Sequence, residues 1–482
     1  MPSLLPSELW RRILQHACTI PHALDCPLHI GGNIDDVQDR TAILQDLAKS
    51  RRATHKCIAL VNRNWYSLSA EFFWMYLVLD SRHKVISAAT ALYSSANNHN
   101  APNPNRFPLY PRPTGGLGWF VHRIDMEFDL CETGTIDEES LRALIYILKS
   151  SPNLQVYSDI SDSETPRPFR LPPAVTDTIM PFLLHPNNSV QRIDWHSNNL
   201  LSFCCHLHKA QSLQLLNLRY FDDVLENQPS DDALNVHLPR LHSITFREQG
   251  SLRQAAIAST WDLPCLRMLT VETAPDFGSH PFLLKHGPSI RHLSLHTPTT
   301  GGPFPPVAAY CSFTPQLVTL HFQLHHPTFT LGGTLQTLHM VGIHGLLQWG
   351  DRDFDDGEPE MLHNHMTAMV RFKQKMPSLM PSLRVVRLVD FDPDSWQSMY
   401  REASEVARWQ RWQVRWESLG VRFEDHKGEL MRIPQHLLDV LEERDSAGDD
   451  SYGEETEMED NYEWDGSSLG GSLGSSMMSW DL

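Results

Sequence analysis

A six-residue apolar motif constrains this chain more than any other feature. It reads apolar, two spacers, apolar, one spacer, apolar, and it returns along most of the sequence. Copies stand at Val121, Ile124 and Met126, at Val190, Ile193 and Trp195, at Leu213, Leu216 and Leu218, and at Leu241, Ile244 and Phe246. Others follow at Leu266, Leu269 and Val271, at Ile290, Leu293 and Leu295, and at Leu317, Leu320 and Phe322. The last two read Leu335, Leu338, Met340 and Leu383, Val386, Leu388, and a degenerate copy runs from Leu154 to Asp159. A proline commonly stands two residues ahead, at 152, 239, 264, 288, 315 and 381. The alternation within each copy predicts a short strand with one buried face. From 190 to 335 the copies lie 18 to 28 residues apart. Each intervening stretch must therefore return the chain to begin the next parallel strand. Residues 138–148 are amphipathic and predict a helical return, whereas 297–306 is a Pro/Gly loop.

This spacing is close to the period of leucine-rich repeats. The Asn of the regular repeat, three residues after the last apolar position, is missing; Phe221, Gln249, Ala274 and Pro298 stand there. The expected fold class is α/β, with an irregular leucine-rich-repeat-like solenoid over residues 119–425. The alternative is a plain α/β domain with parallel strands. A Trp-rich helix over 394–419, carrying Trp396, Tyr400, Val406, Trp409, Trp412 and Trp416, leads to an edge strand at 420–425. Together they would cap the open end.

The N-terminus holds two helical pieces. The first is Leu5-Pro6-Ser7-Glu8-Leu9-Trp10-Arg11-Arg12-Ile13-Leu14, where Ser7 can cap and residues 9, 10, 13, 14 and 17 fall at helical spacing. The second spans 54–73, with Ile58, Leu60, Val61, Trp65, Leu68, Phe72 and Phe73 as its apolar set. Neither can bury its stripe alone. Leu5-Pro6-x-Glu8-Leu9-Trp10-x-x-Ile13-Leu14, then Ala59-Leu60-Val61-Asn62-Arg63-Asn64-Trp65-Tyr66-x-Leu68, resembles an F-box in the interrupted form common in fungal proteins. Phe72 to Leu79 matches the passage from helix into a first strand. Asn62 stands where Cys is frequent, and a polar insert occupies about 26–52. The chain then divides into an F-box-like module (1–82), a helix and linker (83–118), the repeat region (119–425) and a tail (442–482).

The net charge of −18 speaks against a nucleic-acid surface, which needs clustered Lys and Arg. No apolar run reaches membrane-helix length, and the first residues open no signal peptide. Eight cysteines without CxxC spacing fit a reducing compartment, cytoplasm or nucleus. The tail is rich in acids, Ser and Gly, and predicts disorder. Ser446, Ser451 and Thr456 each precede an acid by three residues, which suits an acidophilic kinase or merely a solvated linker.

No bond-making chemistry is expected, and no cofactor or metal. Gly470-Gly471-Ser472-Leu473-Gly474 lacks the strand and helix that a nucleophile elbow needs. Asp351 to Gly357 begins like a calcium loop, but its Gly comes one place late and Leu362 occupies the Glu position. Cys204-Cys205-His206-Leu207-His208 is too compact for a tetrahedral cage, and His363 and His365 stand alone.

The F-box resemblance implies a substrate-receptor subunit of a Skp-cullin-F-box-type ubiquitin ligase. A Skp-family adaptor, and through it a cullin, would dock on Leu5, Pro6, Leu9, Ile13, Leu60, Val61 and Trp65. A protein substrate would be held by the repeat region, where Arg267, Arg291, His292, His321 and His339 are candidate contacts on a face poor in acids. The alternative function is a non-ligase scaffold whose N-terminal helices cap the solenoid; adaptor co-purification separates the two.

Overall fold

The computed structural model describes residues 6–18, 47, 54, 57–58, 60–61, 63–97, 116–127, 137–159, 173–185, 189–196, 200–219, 235–247, 251–272, 281–296, 307–323, 334–344, 358–375, 377–389, 403–425 and 427–431. Within them the fold is α/β. Helices α1 (Ser7–Cys18) and α2 (Arg63–Trp74) come first, and α2 passes through Met75 into β1 (Tyr76–Leu79). Next come α3 (Arg82–Asn97), β2 (Arg123–Met126), α4 (Glu138–Ser150), β3 (Val156–Ser158), α5 (Pro173–Leu183) and β4 (Arg192–His196). Then α6 (Leu200–Leu207), β5 (Leu215–Arg219), β6 (Ser243–Arg247), α7 (Ser251–Ala258), β7 (Met268–Glu272) and α8 (Pro281–His286) follow. The last elements are β8 (His292–His296), α9 (Val307–Cys311), β9 (Thr319–Gln323), β10 (Met340–His344), α10 (Glu358–Lys375), β11 (Val385–Leu388), α11 (Ala403–Ser418) and β12 (Arg422–Glu424).

The twelve strands form one parallel sheet whose spatial order follows chain order from β1 to β12. Its register lines up Ile124, Tyr157, Ile193, Leu216, Ile244, Leu269, Leu293, Leu320, Val341, Val386 and Phe423 in a single buried row. That row and the helices enclose one continuous core reaching from Leu79 to Met431. Gly118 shows how closely the layers approach: a Cβ there would lie 1.9 Å from the Ser150 carbonyl oxygen.

The recurring prolines have a local cause. The first apolar residue of most copies donates its amide to the carbonyl three residues back, as Leu154 does to Ser151, Leu241 to Leu238, Leu266 to Leu263 and Leu317 to Thr314, at 3.1–3.3 Å. Proline then occupies the second position of the turn, where its fixed φ is already suitable and no amide is needed.

In β10 the predicted frame is three residues early. The register pairs Val341 with Leu320 and Ile343 with Phe322, so the motif reads Leu338, Val341, Ile343. Leu335 is instead the first residue of the turn, accepting from the Leu338 amide at 3.3 Å. Both frames satisfy the apolar pattern, and no proline marks this turn. His339 therefore takes the place held by Arg291 and Val318 on the neighbouring strands.

The capping segment is described from 403 onward. Trp412 and Trp416 are buried, Gly420 follows at φ 67°, as suits a residue just past a helix end, and β12 pairs with β11 as the edge strand. Trp396, Tyr400, the side chains of Val406, Trp409 and His363, most of the insert 26–52, most of the linker, the loop 351–357 and the tail lie outside the described residues. No helix among the described residues is long and apolar enough to cross a membrane.

Candidate docking surfaces

Helices α1 and α2, with Ile58 ahead of α2 and Met75 just after it, share a small core: Leu14, Cys18, Ile58 and Phe72 are buried, with Trp65, Leu68 and Met75 against them. The Trp10 and Trp65 rings lie 4.6 Å apart. At the surface the Arg11 guanidinium donates to both oxygens of Glu71, at 3.0 and 2.6 Å; this hydrogen bond and the carboxylate charge raise the Arg11 pKa.

Two apolar side chains of α1, and two of the helical residues just ahead of α2, face outward. Leu9 is 44% exposed, Ile13 47%, Leu60 84% and Val61 55%. Five of the nine exposed large hydrophobics among the described residues lie between 9 and 61. Single exposed leucines need no explanation; a concentration of this kind makes the N-terminal unit a candidate docking surface. Pro6 is exposed, and its carbonyl accepts the amides of Leu9 and Trp10, which starts α1. Trp65 is half-buried. Leu5 lies outside the described residues. Of the predicted adaptor contacts, Leu9, Ile13, Leu60 and Val61 are thus presented outward, while Trp65 also holds the pair together.

The sheet's polar face is unlike the exposed surface the sequence suggested. Its central row, aligned by the register, includes Asp125, Ser158, Asp194, Asn217, Thr245, Thr270, Ser294 and His321, all buried. At one end Arg123 binds Asp125 at 2.8 and 3.0 Å, and Tyr76 donates to the same carboxylate. The Arg123 guanidinium lies 4.9 Å from the centre of the Tyr76 ring. Burial, then the Asp125 charge, drives the Tyr76 pKa up. Burial opposes the charged state of Arg123, yet Asp125 raises its pKa on balance. Arg192 repeats the arrangement with Asp194 at 2.9–3.1 Å, and at the other end Arg387 and Arg422 both pair with Glu424. In three of these cases Arg and acid stand two apart on one strand, in Arg123-Ile124-Asp125, Arg192-Ile193-Asp194 and Arg422-Phe423-Glu424. Period-two geometry puts both side chains on the same face. The signal was present in the sequence and was overlooked beside the apolar repeat.

The five candidate substrate contacts do not share one face. His292 is 5% and His321 1% exposed, so both are corrected from presented to buried side chains. His321 leans over the Cα of Gly342, where a Cβ would meet its ring at 2.5 Å. Burial first, and then the charge of Arg291, lowers the His292 pKa. Arg291 and His339 are exposed and Arg267 is half-buried. These three lie one residue before their strands, on the N-terminal rim of the sheet. There, backbone hydrogen bonds link successive strands from His122 through Gln155, Gln191, Gln214, His242, Arg267, Arg291, Val318 and His339 to Arg384. Adjacent residues such as Arg291 and His292 cannot point the same way, which is why the predicted set divides.

Among the described residues no three His, Cys, Asp or Glu side chains gather as a metal site. Cys204 is buried in α6, His206 reaches Asp177 at 3.4 Å, and His208 contacts the Cys205 carbonyl at 2.8 Å. His365 packs on the Phe322 ring at 5.1 Å. No protein-family model matches the chain, and no curated protein matches it.

Proposed function

We propose that the chain is a substrate-receptor subunit of a Skp-cullin-F-box-type ubiquitin ligase, with α1 and α2 as its adaptor-docking module. The observation that carries this reading is the outward placement of Leu9 and Ile13 on α1 and of Leu60 and Val61 just ahead of α2, on a unit already held by Leu14, Cys18, Ile58 and Phe72. The inward set makes the unit; the outward set is free to bury against an adaptor. Four of the residues matching the F-box pattern belong to that outward set.

The strand order supports an irregular leucine-rich-repeat-like solenoid for the rest of the chain. A doubly wound sheet reverses its strand order at a switch point, whereas this one runs from β1 to β12 without reversal. The mechanism is proximity. The helix pair fixes the chain to the ligase, the repeat region holds a protein substrate, and the effective concentration of substrate lysines at the ubiquitin-loaded enzyme rises.

The second reading, a scaffold whose helices only cap the sheet, is favoured by Trp74 and Leu77, which pack on the main core. One experiment separates the two. Full-length chain carrying Leu60→Glu and Val61→Glu should keep its circular dichroism spectrum and lose capture of a purified Skp-family adaptor by at least ~10-fold, as loss of interface anchors does. Undiminished capture, or none by the unaltered chain, leaves the capping role.

A further inference from the structure

The N-terminal rim of the sheet changes character along its length. Its first half carries His122, Gln155, Gln191 and Gln214; its second half carries His242, Arg267, Arg291, His339 and Arg384, with Val318 between, so its arginines all lie in the second half. No acid stands at any of these positions, although the chain has a net charge of −18. Among the described residues no carboxylate pairs with the three arginines. Arg267 donates to the Leu266 carbonyl at 2.9 Å, and Arg384 to the Pro381 and Leu383 carbonyls at 3.4 and 3.3 Å. Asp262, in the loop leading to β7, is engaged by His237 at 2.7 Å. The three arginines of this half thus have no carboxylate partner among the described residues.

The chain supplies such partners itself. Residues 442–482 hold thirteen Asp and Glu against one Arg, a net charge of −12, which leaves −6 for residues 1–441. The densest stretch is Glu454-Glu455-Thr456-Glu457-Met458-Glu459-Asp460, five acids and two other residues. We propose that this segment of the chain's own tail docks along the rim from Arg267 to Arg384.

The dimensions fit. Parallel strands lie ~4.8 Å apart, so the four steps from β7 to β11 span ~19 Å, the length of about six extended residues. Met431, the last described residue, is held to the Phe423 carbonyl beside β12, next to the Arg384 end. From there 23 residues reach Glu454, about 75 Å when extended, several times what is needed. The strength fits as well. A few screened arginine–carboxylate pairs make a weak site, and a flexible tether supplies roughly millimolar effective concentration. The tail therefore occupies the rim in its own molecule yet yields to a more acidic or phosphorylated competitor. This inference does not depend on the adaptor reading.

The test is the ¹⁵N transverse relaxation of the tail amides in the full-length chain. At low salt, residues 454–460 should relax at least threefold faster than 466–474. The difference should vanish at 0.5 M salt, and equally in the variant Arg267→Glu, Arg291→Glu, Arg384→Glu. A second variant, with Glu454, Glu455, Glu457 and Glu459 changed to Gln and Asp460 to Asn, alters no residue of the sheet and should release the segment in the same way. Uniform relaxation along the tail of the unaltered chain overturns the proposal, as does an enhancement that survives either variant. An enhancement that fades on dilution places the contact between copies and overturns it too.

Discussion

The helix pair and the sheet solve the same problem of apolar burial in opposite ways. The pair closes on four fully buried side chains and leaves Leu9, Ile13, Leu60 and Val61 in water. The sheet turns its apolar row inward, and even its polar row is buried, with the arginines at its two ends paired to acids. The difference lies in neighbours: each inner strand has a strand on both sides, whereas α1 packs on α2 and α2 reaches the main core through Trp74.

Four experiments sharpen the contrast, beginning with the largest effect. Asp125→Ala would strand the buried Arg123 guanidinium and the Tyr76 hydroxyl without their shared carboxylate. Breaking such a pair costs about 3–5 kcal/mol, read as a lower urea midpoint at unchanged slope. A loss below about 1 kcal/mol would mean that the polar face is wetter than the buried pair implies.

Acid should weaken the sheet region next. His286 on α8 is buried 4.8 Å from the Phe282 ring. Burial first, and then the Lys285 charge, lowers its pKa to about 4. That is below the ordinary 6.5, so the folded state resists protonation. Its contribution is whole above pH 6.5 and is lost as pH falls towards 4. Between pH 7.5 and pH 5 the loss should be about 1–2 kcal/mol. With 26 histidines in the chain, the informative measurement is the difference from His286→Leu, whose stability should fall less over the same interval.

The helix pair should respond far more weakly. Arg11 is 59% exposed, so Arg11→Ala removes a screened ion pair worth about 0.2–1 kcal/mol. Raising the salt concentration should shrink that difference. An effect as large as that of Asp125→Ala would abolish the distinction between the two regions. Smallest of all, Leu60→Ser should leave thermal stability within about 0.5 kcal/mol of the parent, because the side chain packs on little. A large loss would show that Leu60 belongs to the unit's own core.

Much of this was legible beforehand, and the reasons differ by element. Strands were readable because period-two apolar alternation recurs with a proline-marked turn before it. Where the proline is missing, at Leu335 to Leu338, two frames fit equally and the wrong one is as plausible as the right one. In α1 the residues 9, 10, 13, 14 and 17 form one broad stripe. Spacing alone does not say that Leu14 faces in while Leu9, Ile13 and Ala17 face out. That choice depends on where α2 lies. The Arg-x-acid pairs were visible as letters, but their meaning depends on burial of the polar face, which no local pattern encodes. His292 and His321 were misplaced for the same reason.

The unreversed strand order also bears on how the chain comes into being. Each strand pairs only with the one made before it and the one made after it. Few strand pairings must wait for a distant segment, which keeps sequence separation between contacts low. A ribosome emitting this chain would deliver each new strand to an edge that is already formed, beginning with β1 at the end of the helix pair. Synthesis from the N-terminus and growth of the sheet then proceed in the same direction. The growing edge is always the most recently made strand, and each stays open only until the next strand pairs with it.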